Sequence, residues 1–251
     1  VIGTMQLLAA CQKAPSVRQL VVKSTAHVYG ASSRDPEMFS EEMERRRQPR
    51  GGYAKDVAEI EGYVRGFARR RPEVPVTVLR CANVLGPRVV SPIANYLRMP
   101  VVPTVLGFDP RLQFVHERDL LGALGHAIVA GVPGTFNIAG DGLLTLNQVL
   151  RRLQRPILPL PGFALGGAAG ALRSMHVSEF SPELRALLTF GRGMDTTRMR
   201  RDLGFEPRYS TAATVDDFAA DLVPTGGRTD RVLGDLERRP TAASLQSGGR
   251  G

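Results

Sequence analysis

Ser24, Thr25, Tyr53 and Asn83 are side chains of the types that manage a proton on a bound hydroxyl or carbonyl. Ser24 and Thr25 close the apolar run "VRQLVVKST" (17–25), and Tyr53 opens "GGYAKDVAEIE" (51–61). Asn83 lies in "LRCANVLGPR" (79–88), at the end of a second apolar run. A strand-end hydroxyl can bond to an oxygen that is gaining or losing a proton, and a phenol can act as acid or base. A phenol is a poor base at neutral pH, because its ordinary pKa is about 10. A cation within about 4–6 Å lowers that value. A lysine four residues along a helix would lie over the same face as the tyrosine, but that position is Val57. Lys55 stands two residues on, a rotation of about 200°. A second register makes Lys55 the helper and Glu59 its follower, but it puts Gly51 in the tyrosine position. The first register keeps Tyr53 and sets Glu61 four residues beyond Val57. In either register one member of the tyrosine–lysine pair is missing.

The surrounding pattern supplies elements to hold these groups. Residues 3–13 have helical period, with Leu7, Leu8 and Cys11 on one face, and 17–25 reads as a buried strand. A polar loop is expected over 30–51, a helix from Tyr53 to Arg70 ended by Pro72, and a strand over 74–80. Helices alternating with near-continuous apolar strands indicate a parallel sheet covered on both faces. In such sheets ligands bind outside the carboxyl ends of the strands, where Ser24, Thr25 and Asn83 are expected. Further along, 112–131 reads as a short strand and then a helix opening near Glu117, and 134–140 as a strand. A helix capped by Thr145 is expected over 145–154, and a short one with Asp195 or Thr196 as cap and Gly204 as stop over 194–210. "ILPLPGFALGGAAGAL" (157–172) is too short and too broken for a membrane span and reads as a loop followed by a packed helix.

The 251 residues are 43% hydrophobic and 23% charged, ordinary for a globular chain, but the net charge is +9. Arginine runs at 45–47, 69–71 and 200–201 carry much of it. They are scattered and lack interleaved aromatics, so they read as solvated helix faces rather than a nucleic-acid surface. Cys11 and Cys81 have neither metal-ligand spacing nor a disulfide framework, and a reduced, cytoplasmic compartment is expected. No metal site is expected. His116 with Glu117 and Asp119 reads as a strand end and helix start, His126 as a helix-face residue, and His27 as a packed or solvated histidine.

Read in order, the segments resemble the extended short-chain dehydrogenase/reductase family, in its NAD-dependent epimerase/dehydratase branch, over residues 1 to about 210. "VIGTMQLLAACQ", "KSTAHVYG", "LRCANVLGP", "LQFVHERDL" and "MDTTRMRRDLGFEP" are each similar to one of its motifs. Within the branch the likeness is to actinobacterial UDP-glucose 4-epimerase-like proteins. The resemblance implies a Rossmann-like doubly wound parallel sheet, N-terminally incomplete, with a smaller C-terminal α/β substrate domain. It implies NAD as cofactor, a nucleotide sugar as substrate, and a homodimer built from the helices near 3–14 and 53–70. Thr25, with Ser24 beside it, would be the hydroxyl partner. Tyr53 would be the acid/base and, with Lys55, a cofactor contact, while Asn83 and Arg111 would contact the substrate.

The likeness departs at Val57, at Leu112 where an arginine is usual (Arg111 is one residue earlier), and in having no Gly-rich dinucleotide turn. Residues 1–88 are expected to be the later part of a dinucleotide-binding domain, which would leave the 251 residues inactive alone. Residues 89–223 are expected to be mainly substrate-binding, with a strand and helix returning to the first sheet, and 224–251 a disordered tail. Two readings stay open: a sugar epimerase or dehydratase impaired at Val57, and a non-catalytic protein that keeps the fold and binds a dinucleotide or other ligand.

Overall fold

The computed structural model describes residues 1–43, 52–162 and 181–222. Strand pairing starts three residues later than the apolar run suggests, giving β1 (Leu20–Thr25). Together with β3 (Val76–Cys81) and β8 (Gly134–Ile138) it makes a three-stranded sheet in the order β1-β3-β8. Both ladders are parallel, running from Leu20↔Val76 to Thr25↔Cys81 and from Thr77↔Gly134 to Cys81↔Ile138.

Successive strand side chains point to opposite faces, and both faces are covered. Val22 and Val78 pack with Leu8 of α1 (Ile2–Lys13) and with Val64 and Phe67 of α2 (Gly52–Arg70). Val21, Leu79 and Cys81 pack with Ala123 and Ala127 of α4 (Glu117–Ala130). This is the expected Rossmann-like doubly wound arrangement. Burial pushes the Cys81 thiol up to about 12, which keeps it an inert core group.

In α2, Ala54, Val57, Glu61, Val64 and Phe67 are buried, a helical spacing that makes one inward stripe. Gly52 enters the helix at φ +74°, and Arg69 and Arg70 close it where cations favour the helix C-terminus. The α4 helix starts at His116, the last residue of β7 (Phe114–His116). The stack of β7 beside β4 (Asn83–Leu85) pairs Asn83 with Phe114 and Leu85 with His116 in parallel.

A second core gathers Ile93, Tyr96 and Leu97 of α3 (Pro92–Leu97), Val102 of β5 (Val102–Val105), Leu146 of α5 (Leu146–Arg152), Leu187 of α6 (Pro182–Phe190) and Phe218 of α8 (Thr211–Leu222). The expected loop over 157–160 is instead β10 (Ile157–Leu160), parallel to β5. Pro159 does not prevent this, since proline is tolerated at sheet edges. The polar segment after Gly30 also contains a strand, β2 (Met38–Phe39), paired with β11 (Gly193–Met194). Two-residue strands leave no periodicity to read. The helix expected after 161 and the tail from 224 lie outside the described residues.

Three helix starts follow sequence chemistry. Thr145 and Gln148 form a reciprocal capping box on α5. Asp195 Oδ1 accepts the Thr197 N–H at 2.9 Å where α7 (Thr197–Arg201) begins, so the carboxylate caps rather than Thr196. His116 Nδ1 accepts the Arg118 N–H at 3.1 Å, which leaves Nε2 to donate to Asp217 Oδ2 at 2.9 Å.

Candidate active site at the sheet rim

The carboxyl ends of β1, β3 and β8 form one rim, with Thr25, Cys81 and Ile138 abreast. Below it Ser24 is 5% exposed and donates to Glu61 Oε1 at 2.5 Å. Its one proton is thus given to the core. Thr25, one residue on, ends the strand and caps a 3-10 turn, Ala26–Val28. Its Oγ1 lies 2.9 Å from His27 Nδ1 and accepts the His27 backbone N–H at 3.5 Å. The His27 ring meets the Tyr53 ring edge-on, with centroids 5.4 Å apart and planes at 78°. Thr25, His27 and Tyr53 therefore form one contiguous group. Tyr53 is 55% exposed on the first turn of α2.

Val57 points inward on the Tyr53 side of α2. It is 6% exposed and belongs to the apolar cluster that includes Ala26 and Val28. Lys55 is exposed. Asn83 is half-buried, two residues beyond Cys81 at the head of β4. Arg111, in β6 (Arg111–Leu112), is largely exposed and ion-paired with Glu37. The structure thus joins Thr25 to Tyr53 through His27, turns Ser24 into the core, and sets Lys55 and Arg111 in solvent.

A polar network under the rim was not foreseen from the sequence. Arg80 clamps Glu61 through Nε at 3.1 Å and Nη2 at 2.7 Å, and its Nη1 donates to the Tyr29 hydroxyl at 3.0 Å and the Glu41 carbonyl at 3.1 Å. Tyr29 in turn donates to Asn137 Oδ1 at 2.7 Å, and the Asn137 N–H reaches Glu41 Oε1 at 2.8 Å. Burial pushes the Tyr29 phenol and the Glu41 carboxyl above their ordinary values. Burial alone would lower Arg80, but its hydrogen bonds to Glu61 and its pairing with Tyr29 outweigh that and hold it above the usual guanidinium value. Arg80 is the one charged residue of the mostly apolar strand β3, which is the hint the sequence offers.

Elsewhere Asp119 is buried and accepts the N–H groups of Arg208 and Tyr209 at 3.0 and 2.9 Å. His116 is fully buried and stacks on Tyr209 at 3.8 Å. Both act as fasteners between β7, α4 and the segment entering α8. Among the described residues no cluster of three His, Cys, Asp or Glu side chains is arranged to hold a metal ion, and no helix is long and apolar enough to cross a membrane.

A parallel sheet covered by helices on both faces defines a Rossmann-like α/β protein. Residues 1–139 match the NAD dependent epimerase/dehydratase family, and the chain belongs to that family. Uncharacterized proteins of Mycobacterium bovis and Mycobacterium tuberculosis are 50% identical over 218 residues, 87% of this chain. The chain spans 58% of their length. Among solved structures, the UDP-glucose 4-epimerase of Thermotoga maritima with UDP-glucose aligns with a TM-score of 0.64 at 21% identity, over 93% of this chain and 70% of that one. MoeE5 in complex with UDP-glucuronic acid and NAD aligns at 0.66 and 21%, over 92% and 71%. The dTDP-glucose 4,6-dehydratase of Bacillus anthracis with NAD gives 0.63 and 20%, over 88% and 66%. At these identities the structural likeness speaks for the fold.

The family name implies a nicotinamide dinucleotide. Among the described residues the rim brings the Thr25 hydroxyl and the Tyr53 phenol together through His27. Val57, four residues beyond Tyr53, is apolar and packed with Ala26 and Val28.

Proposed function

We propose that the protein binds a nucleotide sugar at the β1–β3–β8 rim and belongs functionally with the NAD-dependent epimerases and dehydratases, its turnover impaired by Val57. The observation that carries this reading is the contiguity of Thr25, His27 and Tyr53 at the carboxyl ends of a parallel sheet. Family membership and the UDP-sugar and NAD complexes named among the structural relatives support it. In this reading Thr25 bonds the reacting sugar hydroxyl, Tyr53 exchanges its proton, and Asn83 and Arg111 lie toward the diphosphate. NAD supplies the hydride exchange when bound. Lys55, exposed on α2, is assigned to the cofactor side of Tyr53.

A second reading is favoured by the packing of Val57 among Ala26 and Val28. Here the protein keeps the fold and binds a dinucleotide or other ligand without turnover. The reading also extends to a homodimer through α1 and α2, testable by light scattering of the full-length protein.

Stopped-flow absorbance on the full-length protein, with NAD and UDP-glucose, separates the two readings. Transient NADH is expected for the enzyme. If neither NADH nor product forms with any nucleotide sugar, the catalytic reading fails. Val57→Lys is then expected to create activity in a retired enzyme, and indifference to that change would count against the second reading.

A further inference from the structure

We propose that His27 is a positioning residue that takes up the proton Thr25 passes back, so that a Thr25–His27 pair, in place of Tyr53, receives the ligand's proton where Val57 leaves the phenol unsupported. This rests on the reading that the rim binds a sugar hydroxyl.

The geometry follows from a short local turn. Thr25 ends β1, and the 3-10 turn that begins with Ala26 folds His27 back over it, bringing Nδ1 to 2.9 Å from Oγ1. Ala26 and Val28, 2% and 9% exposed, anchor the turn on either side of the imidazole. The Tyr53 ring closes a third side. A threonine hydroxyl has one proton to give and two lone pairs to accept with. One lone pair receives the His27 N–H, and with Nδ1 unprotonated the proton points to that nitrogen. Thr25 is 7% exposed, so in this proposal a ligand hydroxyl reaches the second lone pair from the open end of the strand.

The step is a proton transfer and nothing more. The ligand O–H bond breaks and its proton joins Thr25 Oγ1. The proton already on Oγ1 moves to Nδ1. An alkoxide and an imidazolium result, and Thr25 is a hydroxyl before and after. Reversing the step returns the proton. An imidazole accepts a proton on a neutral ring nitrogen, so this relay needs no neighbouring ammonium to form its acceptor.

The test uses full-length protein with ¹⁵N-labelled histidine, UDP-glucose as probe, and the variants His27→Gln and Thr25→Val. Calorimetry first asks whether UDP-glucose binds. If it does, the His27 Nδ1 resonance should shift on binding, and that shift should vanish in Thr25→Val. With NAD present, His27→Gln should leave KM for UDP-glucose unchanged and lower kcat by about 100-fold. Circular dichroism melting of each variant separates a lost fold from a lost relay. Binding with an unmoved Nδ1 resonance, or unchanged kcat in His27→Gln, overturns this inference and leaves the proposed function standing. Absence of UDP-glucose binding overturns the proposed function, and this inference with it.

Discussion

Arg80 and Glu61 are joined by two parallel N–H···O contacts, at 3.1 and 2.7 Å, with side chains 12% and 5% exposed. The pair ties α2 to the middle strand of the sheet, where Arg80 stands beside Ser24 in register. Removing one partner of a buried pair strands the other charge, which costs about 3–5 kcal/mol. Glu61→Gln is expected to lose about 3 kcal/mol in urea denaturation, and Glu61→Leu with Arg80→Met to recover most of it. A single variant as stable as the parent would show that the pair carries no stability.

Asp119 offers its two oxygens to the N–H groups of Arg208 and Tyr209. Asparagine keeps one acceptor and turns a donor toward the other N–H. Asp119→Asn should therefore cost about 1–3 kcal/mol. Hydrogen exchange should show faster exchange at the Arg208 and Tyr209 amides, and unaltered exchange there would refute the assignment.

Gly140 lies where three backbone atoms converge. A Cβ added there would stand 2.6 Å from Tyr209 O, 3.0 Å from Thr211 N and 3.1 Å from Phe114 O. Backbone cannot swing aside as a side chain does, so Gly140→Ala should destabilise by about 1–3 kcal/mol, read from thermal melting. Gly125→Ala, in open space on α4, is the control and should be neutral or slightly stabilising.

Asp202 is held at about 2 by a hydrogen bond from Arg201, with Arg198 adding to it. A carboxyl whose folded value is depressed adds stability above its unfolded value of about 3.8, and that stability disappears as pH falls through about 2. The melting-temperature gap between the parent and Asp202→Asn should be largest near neutrality, narrow markedly by pH 2 and close below it. A gap that persists unchanged at pH 2 would rule out the charge as its cause.

Long elements were legible in the sequence because their periodicity is strong. α2 runs from Gly52 to Arg70 against an expected 53–70, and Thr145 caps α5 as expected. β10 and the β2–β11 pair were missed because a proline-containing tetrapeptide and two-residue strands carry no period. At the rim, Thr25 and Tyr53 were legible as types at plausible spacing. Their link through His27 was not, since it depends on a turn of three residues that only coordinates reveal. Ser24 and Thr25 look equivalent in the sequence. One residue of strand alternation sends the first to Glu61 and leaves the second at the rim.

The Ser24–Glu61–Arg80–Tyr29–Asn137 lattice braces the rim without drawing on residue 57. A change at residue 57 would therefore disturb the apolar packing with Ala26 and Val28 while leaving this polar bracing between helix and sheet in place.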